Sequence, residues 1–239
     1  GLAVLVDPEK TAHLEALLPQ VAATGVDLLL VGGSLTSATA VRQALSQLRA
    51  QTQLPLLLFP GNNAHVDATA DALLYLSLIS GRNPEYLIGQ QVAIAPFLAT
   101  HPELEVIPTG YLLISGGTPT AVEYISQTQA LPAHKPELAA HTALAGELLG
   151  LRLLYLEAGS GAQQPVPSAT LQAVRRLCSI PIWVGGGIRS AADATERWRA
   201  GADWLVVGTA TEANSSGRFL RELADARATL HPPALNQAG

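Results

Sequence analysis

The chain has 239 residues, of which 48% are hydrophobic and 14% charged, enough to bury one large core. Its formal charge of -5 excludes a broad basic surface for nucleic acid, and its one cysteine, Cys178, excludes an internal disulfide and fits a reducing cytoplasm. No apolar run approaches the roughly 20 residues that span a bilayer, so we expect a soluble, cytoplasmic protein.

Eight short apolar runs, each bounded by Gly, Pro or an acid, are predicted to form β-strands. In chain order they read LAVLVDP, LLLVGGS, LPLLLFPGN, LLYLSLIS, YLLISGG, LLYLEAGSG, IWVGGG and WLVVGTA. Runs that do not alternate with polar residues are typical of a parallel sheet covered on both faces. Amphipathic stretches fill most of the gaps, so the pattern predicts a (β/α)8 barrel. An open doubly wound sheet is the alternative, but no G-x-G-x-x-G follows the first strand.

The connections between the predicted strands are uneven. Residues 62–72, NNAHVDATADA, leave little room for a crossover helix, so we expect a shortened or irregular third helix. The connections 81–110 and 118–150 are long, and their apolar surface would line a groove or a subunit interface, with ordinary helix packing as the alternative. We expect one barrel domain over residues 1–239, with 231–239 a frayed tail and a short natural segment ahead of the first strand.

Glycine-rich strand ends indicate a phosphate site. The seventh strand ends in Gly185, Gly186 and Gly187, and the eighth in Gly208 and Thr209. In such barrels the reactive groups gather at the carboxyl ends of the strands, and the last two ends commonly bind phosphate through backbone N–H groups. Close packing of the strand–helix turn is the alternative reason for the glycines.

Acidic residues stand at two strand ends. Tyr155 and Glu157 are two residues apart in the sixth strand, so both are expected to face the barrel mouth while Leu154 and Leu156 face the helices. Glu157 would bind substrate hydroxyls or act as a general base, with a structural role in a loop as the alternative. Asp7, after the first strand, suggests Mg²⁺ held together with phosphate oxygens, or else a cap for the next helix.

Several motifs together resemble those of the geranylgeranylglyceryl phosphate synthase family, which includes the heptaprenylglyceryl phosphate synthases. The similar segments include LAVLVDPEK, LLVGGSLTS, SGRNPEYLIGQ, YLEAGSGA, VGGGIRS and ADWLVVGTA. The resemblance implies a Mg²⁺-dependent prenyltransferase that joins the C3 hydroxyl of sn-glycerol 1-phosphate to a polyprenyl diphosphate and releases diphosphate. Leu5, where the bacterial heptaprenyl type carries lysine, indicates the geranylgeranyl-using group.

The resemblance also implies roles for individual residues. Asp7 and Ser34 would bind Mg²⁺. The glycerol phosphate site would comprise Tyr155, Leu156, Glu157, Ala158, Gly159, Ser160, Gly161, Gly186, Gly187, Gly208 and Thr209, the last standing where the family commonly has Asn. Within this set Glu157 would receive the proton of the attacking hydroxyl, and Tyr155 would help to orient the substrate.

The same resemblance implies how the lipid substrate is held. The prenyl chain would lie in the groove left by the missing third helix, and burial of its long tail would bring the enzyme into transient contact with a membrane surface. Exposed apolar helices favour a homo-oligomer. A sugar-phosphate isomerase or lyase, and a phosphate-binding protein without catalysis, are the alternative functions.

Overall fold

The computed structural model describes residues 1–10, 17–21, 23–212 and 217–230, which form a closed barrel of eight parallel strands in chain order. The strands are β1 Leu2–Val6, β2 Leu28–Gly33, β3 Leu56–Pro60, β4 Ala72–Leu78, β5 Glu105–Leu113, β6 Leu153–Glu157, β7 Ile182–Gly185 and β8 Trp204–Val207. Each predicted run overlaps one of these strands, so the predicted (β/α)8 barrel is confirmed.

Helices cover the outside of the barrel. They are α1 Ala38–Gln51, a π-helix Glu85–Gly89 that continues into α2 Gln90–Thr100, α3 Ala121–Ser126, α4 Pro136–Leu148, α5 Ser168–Leu177, α6 Ala191–Ala200, α7 Thr209–Glu212 and α8 Arg218–Leu230. Residues 17–21, between β1 and β2, are also helical. Within the described ranges, none of the helices has the length and hydropathy needed to cross a bilayer. The predicted frayed tail, 231–239, lies outside the described residues.

Alternation along each strand divides the core into an inner and an outer part. Leu154 and Leu156 of β6 pack outward against the helices, whereas Tyr155 belongs to the cluster that fills the barrel. Tyr155 and Glu157 both border the same glycine of β7, Gly185. The prediction that these two side chains share the inner face is therefore confirmed, because a strand alternates its side chains between two faces.

The start of β5 differs from the prediction. The apolar run suggested a start at Tyr111, but the strand begins at Glu105, because Pro108 and Gly110 were misleading signals of a break. The carbonyl of Pro108 accepts the N–H of Arg152, one residue ahead of β6, at 2.8 Å. In a strand, the N–H and the carbonyl of one residue face the same neighbouring strand. The N–H that Pro108 lacks would therefore face the chain ahead of β6, where no ladder hydrogen bond is needed.

Aspartates secure the amino ends of three strand pairs. Each directly precedes an even-numbered strand, and its carboxylate accepts the first N–H of the adjacent odd-numbered strand at 2.7 Å: Asp27 from Leu2, Asp71 from Leu56 and Asp203 from Ile182. Each of these carboxylates also forms an ion pair with an arginine: Asp27 with Arg227, Asp71 with Arg49 and Asp203 with Arg175. This repeated contact stabilises the base of the barrel, opposite the mouth that carries the predicted site.

The barrel is least continuous between β3 and β4. Only two residue pairs join these strands, Leu57 with Ala72 and Leu58 with Leu73. Above that level β3 runs on to Pro60 and β4 to Leu78 without pairing to each other. Residues 61–71, all of them described, form no helix, which confirms the expected irregularity, and their loop folds around the buried His65, whose Nδ1 accepts the Gly61 N–H at 3.3 Å.

Candidate active site

Glu157 is a buried carboxylate at the centre of the barrel mouth. It is the last residue of β6 and is 7% exposed, and its Oε1 accepts the N–H of Gly159 at 2.8 Å. Burial raises the pKa of Glu157 from 4.5 to about 7, while the Gly159 N–H and the nearby Tyr155 hydroxyl lower it to a smaller extent. A carboxyl with this pKa can both accept and release a proton near neutral pH.

Tyr155 lies directly beneath this carboxylate in an aromatic cluster. Its ring stacks on Tyr111 at 5.5 Å and meets Phe59 at 5.1 Å between ring centroids. Burial raises the pKa of Tyr155 well above 10, and the negative charge of Glu157 raises it further, so the phenol stays protonated. The buried hydroxyl has no well-formed hydrogen bond to any described residue, which leaves its proton available to a bound molecule.

Glu157 also explains the run of glycines after β7. A Cβ on Gly185 would lie 2.4 Å from Glu157 Oε2, and one on Gly186 would lie 2.3 Å from Oε1, both too close to be tolerated. A Cβ on Gly187 would collide with the backbone of Gln164 at 2.8 Å. Gly186 and Gly187 also have φ values of +80° and +71°, which favour glycine. Close packing is therefore one reason for this motif.

Backbone and hydroxyl donors surround the space beside these glycines. The Oγ atoms of Ser160 and Thr209 lie 3.2 Å apart, which brings the loop after β6 against the end of β8. Among the described residues, the N–H groups of Gly187 and Gly208 find no protein acceptor. Such a set of uncharged donors is suited to bind the oxygens of a phosphate.

Arg189 is a residue of this region that the sequence reasoning did not assign. Its Nη2 donates to the carbonyls of Gly161 at 3.4 Å and Ala162 at 2.9 Å. The side chain thus ties the loop after β6 to the turn after β7 and places a positive charge beside Gly161. The available signal was its position directly after the VGGGI motif.

Asp7 and Ser34 occupy neighbouring strand ends, those of β1 and β2. Asp7 Oδ1 accepts the N–H of Glu9 at 3.1 Å, and its Oδ2 lies 3.7 Å from Lys10 Nζ. A Cβ on Gly33 would lie 4.0 Å from Asp7 Oδ1, so the carboxylate reaches across to β2. Within the described ranges no three metal-binding His, Cys, Asp or Glu side chains cluster. One carboxylate and one hydroxyl fit Mg²⁺ only where substrate oxygens complete its shell.

An apolar groove leads away from this edge of the mouth. It begins at Ser34 and Gly61, passes the ring of Tyr111, and continues through the split between β3 and β4 to Ile94 of α2. The groove encloses about 800 Å³ of space not filled by atoms, part of it open to solvent. Its position matches the gap left by the missing third helix, where the family resemblance implied a groove.

Two of the predicted binding residues turn their side chains elsewhere. Leu156 and Ala158 are buried in the outer core between the barrel and its helices. The N–H of Ala158 already donates to the carbonyl of Gly185 at 3.1 Å. These two residues therefore shape the site through the backbone of β6 and its loop.

Sequence comparison places this geometry among known proteins. Residues 2–227 match the PcrB family. The geranylgeranylglyceryl phosphate synthase of Spirosoma linguale is 50% identical over 214 residues, covering 89% of this chain and 86% of that protein. The geranylgeranylglyceryl phosphate synthase of Thermococcus kodakarensis is 40% identical over 218 residues, covering 91% of this chain and 84% of that protein.

Structural comparison agrees. The crystal structure of (S)-3-O-geranylgeranylglyceryl phosphate synthase from Thermoplasma acidophilum, in complex with its substrate sn-glycerol-1-phosphate, superposes with a TM-score of 0.88 at 32% identity. The match covers 94% of this chain and 92% of that one. A thiamine phosphate pyrophosphorylase from Pyrococcus furiosus, 15% identical with a TM-score of 0.61 over 96% of each chain, shares the fold alone.

Proposed function

This chain belongs to the PcrB family and is a prenyltransferase, and from that premise we propose that it joins sn-glycerol 1-phosphate to geranylgeranyl diphosphate. The observation that carries the proposal is the meeting, at one barrel mouth, of backbone and hydroxyl donors at the ends of β7 and β8, a buried carboxylate and an apolar groove. A sugar-phosphate isomerase would have no use for such a groove.

The glycerol phosphate is expected to bind at the ends of β7 and β8. The N–H groups of Gly187 and Gly208 and the hydroxyls of Ser160 and Thr209 would bind its phosphate oxygens, with Arg189 adding positive charge at the edge. The glycerol hydroxyls would then reach towards the inner face of β6. This arrangement leaves the groove free for the second substrate.

Glu157 is the base in the proposed reaction. The C3 oxygen of glycerol phosphate attacks C1 of the prenyl chain and forms the ether bond, while the bond from C1 to the diphosphate oxygen breaks and its electron pair leaves with diphosphate. The hydroxyl proton passes to Glu157, whose pKa of about 7 makes it a competent acceptor. The protonated phenol of Tyr155 donates to the carboxylate or to a glycerol hydroxyl and so holds the attacking oxygen in line.

The donor set at the ends of β1 and β2 is suited to a diphosphate-bound Mg²⁺. Asp7 and Ser34 would hold the ion, and its charge would stabilise the negative diphosphate as it departs. Lys10, already 3.7 Å from Asp7, adds further positive charge at this edge. The groove starts at Ser34, so a diphosphate bound here would direct its prenyl chain straight into the groove.

The prenyl chain gains its binding energy from burial in the groove. Each buried CH₂ contributes about 0.8 kcal/mol, so a longer chain binds more tightly until the groove is full. Ile88 and Val92, exposed on the π-helix and α2 near the outer part of the groove, would support transient contact with a membrane surface.

Assembly and compartment complete the proposal. Leu138, Leu148 and Leu149 of the α4 region are exposed, and a second copy of the chain would cover them in a homo-oligomer. The proposed compartment is the reducing cytoplasm, which the low cysteine content favours, since Cys178 is buried and cannot form an internal disulfide.

The deciding experiment measures transfer of label into an organic phase. The purified chain is incubated with Mg²⁺, radiolabelled sn-glycerol 1-phosphate and prenyl diphosphates of several lengths, with sn-glycerol 3-phosphate as the stereochemical control. We expect Mg²⁺-dependent extraction of label that falls at least tenfold in Asp7→Ala and Glu157→Ala. Asp225→Ala, an exposed acid on α8, serves as the matched control and should retain full activity. Binding of glycerol phosphate without transfer from any diphosphate would contradict the proposal and favour an isomerase, a lyase or a binding protein.

A further inference from the structure

The split between β3 and β4 leaves part of β4 without a strand partner on one side. The ladder with β3 stops at Leu73, and the residues above it line the apolar groove. Backbone groups at an unpaired edge in apolar surroundings lack both water and a ladder partner, which is costly. Such an edge either draws in a neighbouring strand or is satisfied by another group.

Gln91 of α2 supplies that group. Its side chain is buried, and its Nε2 donates to the carbonyl of Leu76 and to Ser77 Oγ, the latter at 3.1 Å. The Oε1 atom accepts from no described residue, so the contacts with β4 alone set the orientation of the amide. Its backbone carbonyl also accepts the hydroxyl of Tyr75 at 2.8 Å, which fixes the start of α2 against β4.

The preceding residue holds the other side of the split. Gln90 Oε1 accepts the N–H of Asn63, in the loop after β3, at 2.7 Å, and its Nε2 donates to Glu85 at 2.5 Å. Consecutive glutamines therefore bind the two sides of the gap. They stand at the junction of the π-helix and α2, where a π-turn alters the direction of successive side chains.

We infer that Gln91 is a positioning residue that closes the free edge of β4 and so keeps the split open as the passage for the polyprenyl chain. This inference rests on the proposed function. Without the amide, the Leu76 carbonyl recovers a partner only if β3 moves in to pair with β4 or if water enters the groove. Either change penalises a long prenyl chain more than a short one and leaves the glycerol phosphate site, on the far strands β6 to β8, unchanged.

The first test is the preference for chain length. The ratio of kcat/KM for geranylgeranyl diphosphate to that for geranyl diphosphate is measured at saturating sn-glycerol 1-phosphate. Gln91→Met keeps the length of the side chain and removes the donor, and it should lower this ratio at least fivefold with an unchanged KM for glycerol phosphate. Gln47→Met, exposed on α1, is the matched control and should leave the ratio at the wild-type value. An unchanged ratio in a folded Gln91→Met protein would overturn the inference.

A second variant keeps the test decisive if Gln91→Met does not fold. In Gln91→Glu, a protonated carboxyl can donate to the Leu76 carbonyl, whereas a carboxylate cannot. The chain-length ratio should therefore approach the wild-type value at pH 5.5 and fall at pH 8.5. Titration of Glu157 cancels from the ratio, because both diphosphates use the same base. A ratio independent of pH would count against Gln91 as the donor.

Hydrogen exchange tests the closed edge without any substrate. Amide exchange in a peptide covering β4 should differ at least fivefold between Gln91→Met and the wild type, faster if water enters the groove and slower if β3 pairs with β4. Equal rates would overturn the edge-closing role. A wild-type chain that transfers no prenyl group would instead overturn the proposed function. The exchange rates then still decide whether Gln91 closes the edge.

Discussion

Replacing Glu157 by glutamine should stabilise the protein in a pH-dependent way. The carboxyl is buried and its pKa is raised from 4.5 to about 7, so folding favours its protonated form. An acid with a raised pKa in the folded state binds more protons folded than unfolded between the two pKa values. Stability from this group is therefore fully present below pH 4.5, declines as the pH rises, and is lost above about pH 7.

The size of the effect follows from the pKa shift. At about 1.4 kcal/mol per pKa unit, ionised Glu157 lowers the free energy of unfolding by about 3 kcal/mol above pH 7. Glutamine has the same shape, keeps an oxygen to accept the Gly159 N–H, and carries no charge. Glu157→Gln should thus match the wild type at pH 4.5 and exceed it by up to about 3 kcal/mol at pH 8.5.

Urea unfolding of both proteins between pH 4.5 and 8.5 measures this difference. Titration of all other groups is common to the two proteins and cancels from the comparison. The same variant should lose prenyl transfer by about 100-fold or more, because the base is gone while the substrates still bind. A stability difference that stays constant with pH, or a variant less stable than the wild type at pH 8.5, would refute the reasoning that burial controls this carboxyl.

Three further predictions concern the packing of the site and the base of the barrel. Tyr155→Phe should leave the free energy of unfolding unchanged or slightly higher, because the buried hydroxyl of Tyr155 lacks a well-formed hydrogen bond. Prenyl transfer should fall about tenfold. Unfolding and transfer assays separate the two effects. Gly186→Ala should lower the free energy of unfolding by about 3 kcal/mol and abolish the binding of glycerol phosphate, measured by calorimetry. Gly161→Ala should lower it by about 1 kcal/mol, because Gly161 has a similar positive φ but nothing within 4 Å of an added Cβ. Equal losses would contradict the steric argument. Asp71→Ala should lower the free energy of unfolding by about 1–2 kcal/mol, because the N–H of Leu56 loses its acceptor. Arg49→Ala should lower it by less than 1 kcal/mol, because the ion pair between Arg49 and Asp71 is largely exposed. Thermal unfolding of both variants measures the difference, and the reverse order would show that the ion pair dominates.

Most of the fold could be predicted from local patterns. Eight apolar runs at regular intervals, the polar residues between them and the short interval after β3 are properties of neighbouring residues, so the barrel and its missing helix were visible in the sequence. Alternation also placed Tyr155 and Glu157 on one face correctly. The start of β5 was predicted too late because Pro108 was taken as a break in a strand without regard to the adjacent strand β6. Only the pairing of the two strands decides whether the N–H that proline lacks is needed for a ladder hydrogen bond.

The sequence by itself determined which residues stand at the mouth, because the ends of strands follow from the runs that precede them. Only the tertiary structure decided what those residues experience. The pKa of Glu157 depends on its burial, in a site where Gly185 and Gly186 approach it from far along the chain. The role of Gln91 depends on a strand edge left free by the divergence of β3 and β4. Burial and unpaired edges arise from contacts between distant segments, so they are absent from any local pattern.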